Sequence, residues 1–207
     1  MIRNYSIVFG LLLVAQIIWA PEKVLAETRV ALLIGNSDYT NGPLRNPVND
    51  ARKMAITLQQ VGFDTKILEN ANKREMVEAI KNFGRNLRQS DVALFYFSGH
   101  GLQHEGKNWL QPLGTKIDRA IDVEFEALNV ERILAEMEGG SVDRVNLVII
   151  DACRSNPNLR NFRSATNGLT VPQRSPKGSI IAFATAPGTV AYDRTDSTDQ
   201  NSPYVAE

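Results

Sequence analysis

Val145-Asn146-Leu147-Val148-Ile149-Ile150 runs apolar and then breaks into Asp151-Ala152-Cys153-Arg154. A run of this length, rich in β-branched side chains, is the pattern of a strand buried on both faces. The pattern recurs at Val92-Ala93-Leu94-Phe95-Tyr96-Phe97, which breaks into Ser98-Gly99-His100-Gly101, and at Arg29-Val30-Ala31-Leu32-Leu33-Ile34-Gly35. Helical periods lie between these runs. Val48, Ala51, Ala55 and Leu58 share one face of a helix expected over Val48 to Val61. Met76, Val77, Ile80, Phe83 and Leu87 form the stripe of a second, with Asn72 as its cap and Glu75 three residues later. Further strands are expected over Phe63 to Leu68 and Gly178 to Ala184, a hairpin over Leu102 to Pro112 turning at Glu105-Gly106-Lys107, and a helix around Asn129 to Glu138. Alternating strands and helices imply right-handed crossovers and an α/β fold with a mainly parallel sheet covered on both faces.

The chain has 207 residues, 43% hydrophobic and 22% charged, which suits one globular domain with a full core. Lys plus Arg equals Asp plus Glu at 23 each, so net charge gives no reason to expect nucleic acid or an anionic membrane as partner. Residues 1–26 carry Arg3, an apolar core from Ile7 to Trp19, Pro21 and the small-residue stretch Val24-Leu25-Ala26. That is the composition of a secretory signal peptide, whose apolar core is shorter than the roughly 20 residues of a spanning helix. The expectation is an exported chain, periplasmic or secreted, with no stable membrane insertion after cleavage; an uncleaved anchor is the alternative. The end, Asn201-Ser202-Pro203-Tyr204, has a cap and then a proline at the first helical position, so residues 27–207 read as a domain truncated at its C-terminus.

Cys153 is the only cysteine, and outside the cell it has no partner for an internal disulfide. It is either buried, paired between chains, or kept for chemistry. A thiol needs a base to become thiolate near neutral pH, and histidine, with an unperturbed pKa of about 6.5, is the usual one. The chain has only His100 and His104. Glycines flank His100, leaving close approach to a substrate open, whereas His104 sits in the hairpin and is expected to be an exposed loop residue. In open α/β sheets, sites form beyond the carboxyl ends of strands, where His100 and Cys153 both lie.

His100 stands about 50 residues ahead of Cys153, the spacing of the caspase signature. Together with Val30-Ala31-Leu32-Leu33-Ile34-Gly35-Asn36, Asn49-Asp50-Ala51, Phe97-Ser98-Gly99-His100-Gly101, Asp151-Ala152-Cys153-Arg154 and Ala182-Phe183-Ala184-Thr185-Ala186-Pro187-Gly188, this chain resembles the caspase-like cysteine peptidases of the metacaspase and bacterial type. The resemblance spans about Arg29 to Glu207. It implies a caspase-like three-layer α/β/α sandwich, Cys153 as nucleophile, His100 as acid and base, and the amides of Gly101 and Cys153 as oxyanion hole. It also implies that Asp50 and Asp151 line the first specificity pocket with Ser98 beside them. True caspases, which cleave after aspartate, carry glutamine where this chain has Asp151, so a protein or peptide substrate with Arg or Lys at the cleavage site is expected. The alternative for Asp50 is a first-turn helix residue favoured by the helix dipole, and for Asp151 a solvated strand end.

Some relatives in this resemblance use calcium. Here Asp118, Asp122, Glu124 and Glu126 lie between the histidine and cysteine segments without the spacing of a calcium loop, and Arg160 stands near where a later ligand is expected. No metal or other cofactor is assigned. Arg160, Arg163, Arg174 and Lys177 follow the thiol in a long aperiodic stretch; they are either self-cleavage sites or a solvated basic loop. Oligomeric state is left open. The alternative to a peptidase is a non-catalytic binding or scaffold module on the same fold.

Overall fold

The strand-forming runs assemble side by side in a computed structural model that describes residues 27–139, 143–153, 169–170, 172 and 177–184. In chain order the elements are β1 (Arg29–Gly35), α1 (Pro47–Gln60), β2 (Phe63–Glu69), α2 (Lys73–Asn86), β3 (Val92–His104), β4 (Lys107–Leu110), α3 (Asp122–Glu126), β5 (Leu128–Asn129), α4 (Val130–Glu138), β6 (Val145–Cys153) and β7 (Ser179–Phe183). Five strands run parallel in the order β2-β1-β3-β6-β7. β4 pairs antiparallel with the far half of β3, and β5 with β4. Signal peptide, C-terminal helix start, Arg160, Arg163 and Arg174 lie outside the described residues.

Strand alternation divides the core into two layers. Ala31, Leu33, Leu94 and Tyr96 face α1 and meet Ala51, Ala55 and Leu58. Leu32, Ile34, Phe95, Phe97, Val148 and Ile150 face the other way, against Met76, Ile80 and Phe83 of α2 and Ile133, Leu134 and Met137 of α4. The result is the expected α/β/α sandwich. At α2 the Asn72 side chain accepts from the Glu75 amide while Glu75 returns a bond to the Asn72 amide, closing the capping box read from sequence. No helix among the described residues is long and apolar enough to cross a membrane.

Two expectations need correction. β3 does not break at Ser98. β1 ends at Gly35 opposite Ser98, and β4 takes over the vacated edge from Gly101 opposite Leu110, so the backbone stays paired as far as His104. β6 likewise runs on through Cys153, because the lengthened β3 still offers it a partner. His104 is not an exposed loop residue: it is buried in β3, and its carbonyl accepts from Trp109 Nε1 as the hairpin folds back. The turn itself is Glu105–Gly106, both with positive φ, the geometry that matches strand twist.

Candidate active site

Five sequence-selected residues gather at one end of the sheet. Gly35, Ser98 and Asp151 stand in line across β1, β3 and β6, and two residues further on His100 is opposite Cys153. Neighbouring strands lie roughly 4.8 Å apart, so this register brings the imidazole-bearing and thiol-bearing backbone positions side by side. Asp50 arrives from the first turn of α1, where it is fully buried.

His100 is held from several directions. Its Nε2 lies 2.6 Å from the Gly42 carbonyl oxygen. A carbonyl only accepts, so Nε2 must carry the proton, and in the neutral ring Nδ1 is then the basic nitrogen. The His100 amide donates to the Tyr39 hydroxyl at 3.0 Å, and its carbonyl accepts from the Gln111 amide at 2.9 Å. The side chain is 1% exposed. Gly42 and Tyr39 belong to the loop leaving β1, which closes on itself through the Ser37 carbonyl accepting from the amides of Tyr39 and Leu44. Ser37 Oγ also takes the Val48 amide, tying that loop to the start of α1 and so to Asp50.

The expected specificity residues converge on a phenol that sequence reading had assigned to core. Tyr96 is 1% exposed, and its hydroxyl makes no hydrogen bond among the described residues. Burial, followed by the negative charges of Asp151 and then Asp50, pushes its pKa far above the ordinary tyrosine range, while Ser98 pulls slightly the other way without reaching full hydrogen-bond geometry. One hydroxyl thus senses both carboxylates and the serine. Asp151 is buried and Asp50 fully so, which removes the solvated-strand-end reading of the first. Asp50 keeps its first-turn position as well, so its two readings are compatible.

Gly101 lies against β6 so closely that a Cβ there would be 2.7 Å from the Ala152 Cβ. The absence of a side chain is what lets the two strands sit together next to the His100–Cys153 pair. Of the acidic residues considered for calcium, Asp122 accepts from the amides of Asp118 and Arg119 and pairs with the Arg119 guanidinium at 2.7 Å, and Asp118 pairs with Lys116 at 2.9 Å. Among the described residues no cluster of three or more His, Cys, Asp or Glu is arranged to hold a metal. Lys177 is exposed in the turn before β7. Tyr39, Gly42 and Tyr96 were missed by sequence reading. The only signal for the first two was their position in a polar loop leaving a strand end beside the site.

Comparison with known proteins fits this geometry. The family model for the caspase domain matches residues 28–207. Human mucosa-associated lymphoid tissue lymphoma translocation protein 1 is 26% identical over 173 residues, covering 83% of this chain and 20% of that protein. Caspase-1 of Rattus norvegicus is 29% identical over 161 residues, covering 72% of this chain and 39% of the relative. The chain therefore spans well under half the length of these relatives. The crystal structure of the Drosophila initiator caspase Dronc superposes with a TM-score of 0.51 at 13% identity, over 78% of this chain and 56% of that one, a likeness of fold alone. With the parallel sandwich, the strand-end site and the matched domain in agreement, the chain belongs to the family of caspase-like peptidases.

Proposed function

We propose that this chain is a cysteine endopeptidase that cleaves after Arg or Lys through a Cys153–His100 dyad. The observation that carries it is the register pairing of His100 with Cys153 on adjacent parallel strands. Cys153 attacks the scissile carbonyl carbon as thiolate, forming the C–S bond and a tetrahedral oxyanion. The amides of Gly101 and Cys153 stabilise that oxygen. Protonated His100 delivers its Nδ1 proton to the leaving amine as the C–N bond breaks, leaving an acyl-enzyme thioester. Water then attacks the thioester carbonyl with Nδ1 accepting its proton, and the acid product and thiolate separate. The Gly42 carbonyl keeps Nε2–H engaged throughout, so Nδ1 is the nitrogen that exchanges protons.

Specificity rests on the carboxylates. Two acidic side chains buried near one phenol create a negative site that a substrate guanidinium or ammonium relieves, Arg being favoured where bidentate geometry is met. Asp50, Asp151, Ser98 and the Tyr96 hydroxyl form its wall. No step of this scheme is assigned to a metal. Export to the periplasm or beyond remains part of the proposal, resting on residues 1–26.

The test is hydrolysis of Arg, Lys and Asp reporter peptides by the wild type, Cys153→Ala and His100→Ala. Turnover of Arg and Lys reporters is expected, with losses on the order of a thousandfold or more in either variant. Equal hydrolysis by Cys153→Ala would sink the dyad, and preference for Asp would remove the acidic pocket. A folded wild type inert toward every reporter would point to a binding module.

A further inference from the structure

β3 changes partners beside His100, and the change leaves a seam. The last rung to the β1 side is the Asn36 amide on the Ser98 carbonyl, 2.9 Å; the next rung, from the β4 side, is the Gln111 amide on the His100 carbonyl, also 2.9 Å. Between them neither strand reaches. The Tyr39 hydroxyl fills that gap, accepting from the His100 amide at 3.0 Å and donating to the Gln111 carbonyl at 2.9 Å. Its ring lies against the imidazole, with centroids 4.3 Å apart and planes tilted by 49°. Tyr39 is 5% exposed. A Cβ on Gly99 would stand 2.6 Å from the Tyr39 oxygen, so the glycine before the histidine is what admits this hydroxyl.

We propose that Tyr39 is the positioning residue of His100, fixing its backbone through the hydroxyl and its ring plane through the aromatic face. This rests on the reading of His100 as the acid–base group. Without the hydroxyl, the His100 amide loses its acceptor at a point where no strand can supply another, and the imidazole gains freedom to turn about its Cβ–Cγ bond. A backbone that shifts there, or a ring that turns, moves Nε2 off the Gly42 carbonyl, so the Nε2–H tautomer loses the acceptor that holds it and the Nδ1–H tautomer, the wrong one for accepting a proton, gains population. Substrate binding through Asp50 and Asp151 is untouched. The effect therefore falls on the chemical step.

The experiment compares full-length wild type with Tyr39→Phe, which removes only the hydroxyl, and Tyr39→Leu, which removes the ring as well. Two readouts are taken: kcat and KM on an Arg reporter across pH, and ring ¹H–¹⁵N spectra of the imidazoles, which number only two in this chain. A His104→Gln variant assigns the His100 signals. For Tyr39→Phe, kcat should fall about ten- to hundredfold, as for a catalytic group misplaced by about 1 Å, with KM within about twofold. The pH limb reporting the imidazole should move, and the ring should no longer hold a single Nε2–H tautomer. A folded Tyr39→Phe with wild-type kcat, pH limb and ring tautomer overturns the proposal. So does a loss of activity that tracks the unfolding midpoint while the ring spectrum stays unchanged. If Tyr39→Leu fails to fold, the Phe variant decides. If the wild type hydrolyses nothing, the peptidase reading fails by itself, and the ring spectra still judge Tyr39: an altered tautomer upholds its positioning role and an unaltered one ends it.

Discussion

Asp50 and Asp151 reach the same place by different routes, one from a helix start and one from a strand end, and Tyr96 registers the charge of both. A carboxylate-to-guanidinium hydrogen bond contributes about 1.5–3 kcal/mol, so Asp50→Asn or Asp151→Asn should lower kcat/KM for Arg reporters roughly ten- to hundredfold. Retained alkylation of Cys153 by iodoacetamide would locate the loss in substrate recognition, and unchanged kcat/KM would exclude that carboxylate from the pocket. His100 and Cys153 could be picked out in the sequence by side-chain type and strand-end placement, whereas Asp50, Asp151 and Ser98 were picked out through the resemblance to caspase-like peptidases. Tyr39 and Gly42 were not. Gly42 acts through a backbone carbonyl, and nothing in a tyrosine within a polar loop announces that its hydroxyl will meet an amide 61 residues away. Tyr96 was hidden for another reason: in an apolar run a phenol reads as ring, and its hydroxyl matters only once burial has placed it beside two acids.

At the scale of elements, Arg144 joins pieces that the sequence lists separately. It is 2% exposed at the entry to β6, and its guanidinium donates to the carbonyls of Leu87, Met137 and Gly139 and to Asn146 Oδ1. Met137 and Gly139 stand at the C-terminal end of α4, where carbonyls lack helical partners and the helix dipole is negative, and Leu87 follows α2, its carbonyl also accepting from the Ser90 amide and hydroxyl. Burial lowers the Arg144 pKa from its ordinary value. Arg144→Met should destabilise the fold by about 2–3 kcal/mol, because it strands the buried Met137 carbonyl and Asn146 Oδ1. Arg144→Lys should recover only part of that, lacking the planar fork. Urea midpoints measure both, and a midpoint for the Met variant equal to wild type would refute the role. The capping box of α2 was readable because it is local, within four residues. Arg144 was not, since its acceptors come from three elements that only the folded chain brings together.

Across the whole molecule, the sandwich is tied on one face by Arg52 of α1, which forks onto Glu69 at the end of β2 with bonds of 2.7 and 2.6 Å. That hydrogen bond, aided by the charge and opposed by partial burial, holds the Glu69 pKa below its ordinary value. A depressed carboxylate pKa stabilises the fold above the unfolded-state value, about 4.3 for Glu, and the benefit is lost as pH falls through the lower folded-state value. Arg52→Gln should therefore be slightly less stable than wild type at neutral pH, with the gap closing in acid; the pair is exposed and the gap is small. Urea titrations at neutral pH and at about pH 3 test the sign, since a gap that widens in acid contradicts it. The parallel α/β architecture was legible from the alternating runs, whereas the exchange of β1 for β4 along β3 was not, because register is decided by where a neighbouring strand stops.

The pairing of β6 with β7 has a further consequence. Asn146 through Ile150 lie opposite Ser179 through Phe183, and the Asn146 amide binds the Gly178 carbonyl. The covalent path between these strands is long, yet the two are held edge to edge by bonds that do not depend on it. Severing the chain after Lys177, or anywhere between Arg154 and that residue, would leave β6 and β7 uncut. The chain after the thiol could then become a second polypeptide while β7 stayed docked on β6, so that peptide-chain continuity and the integrity of the sheet are separable properties of this fold.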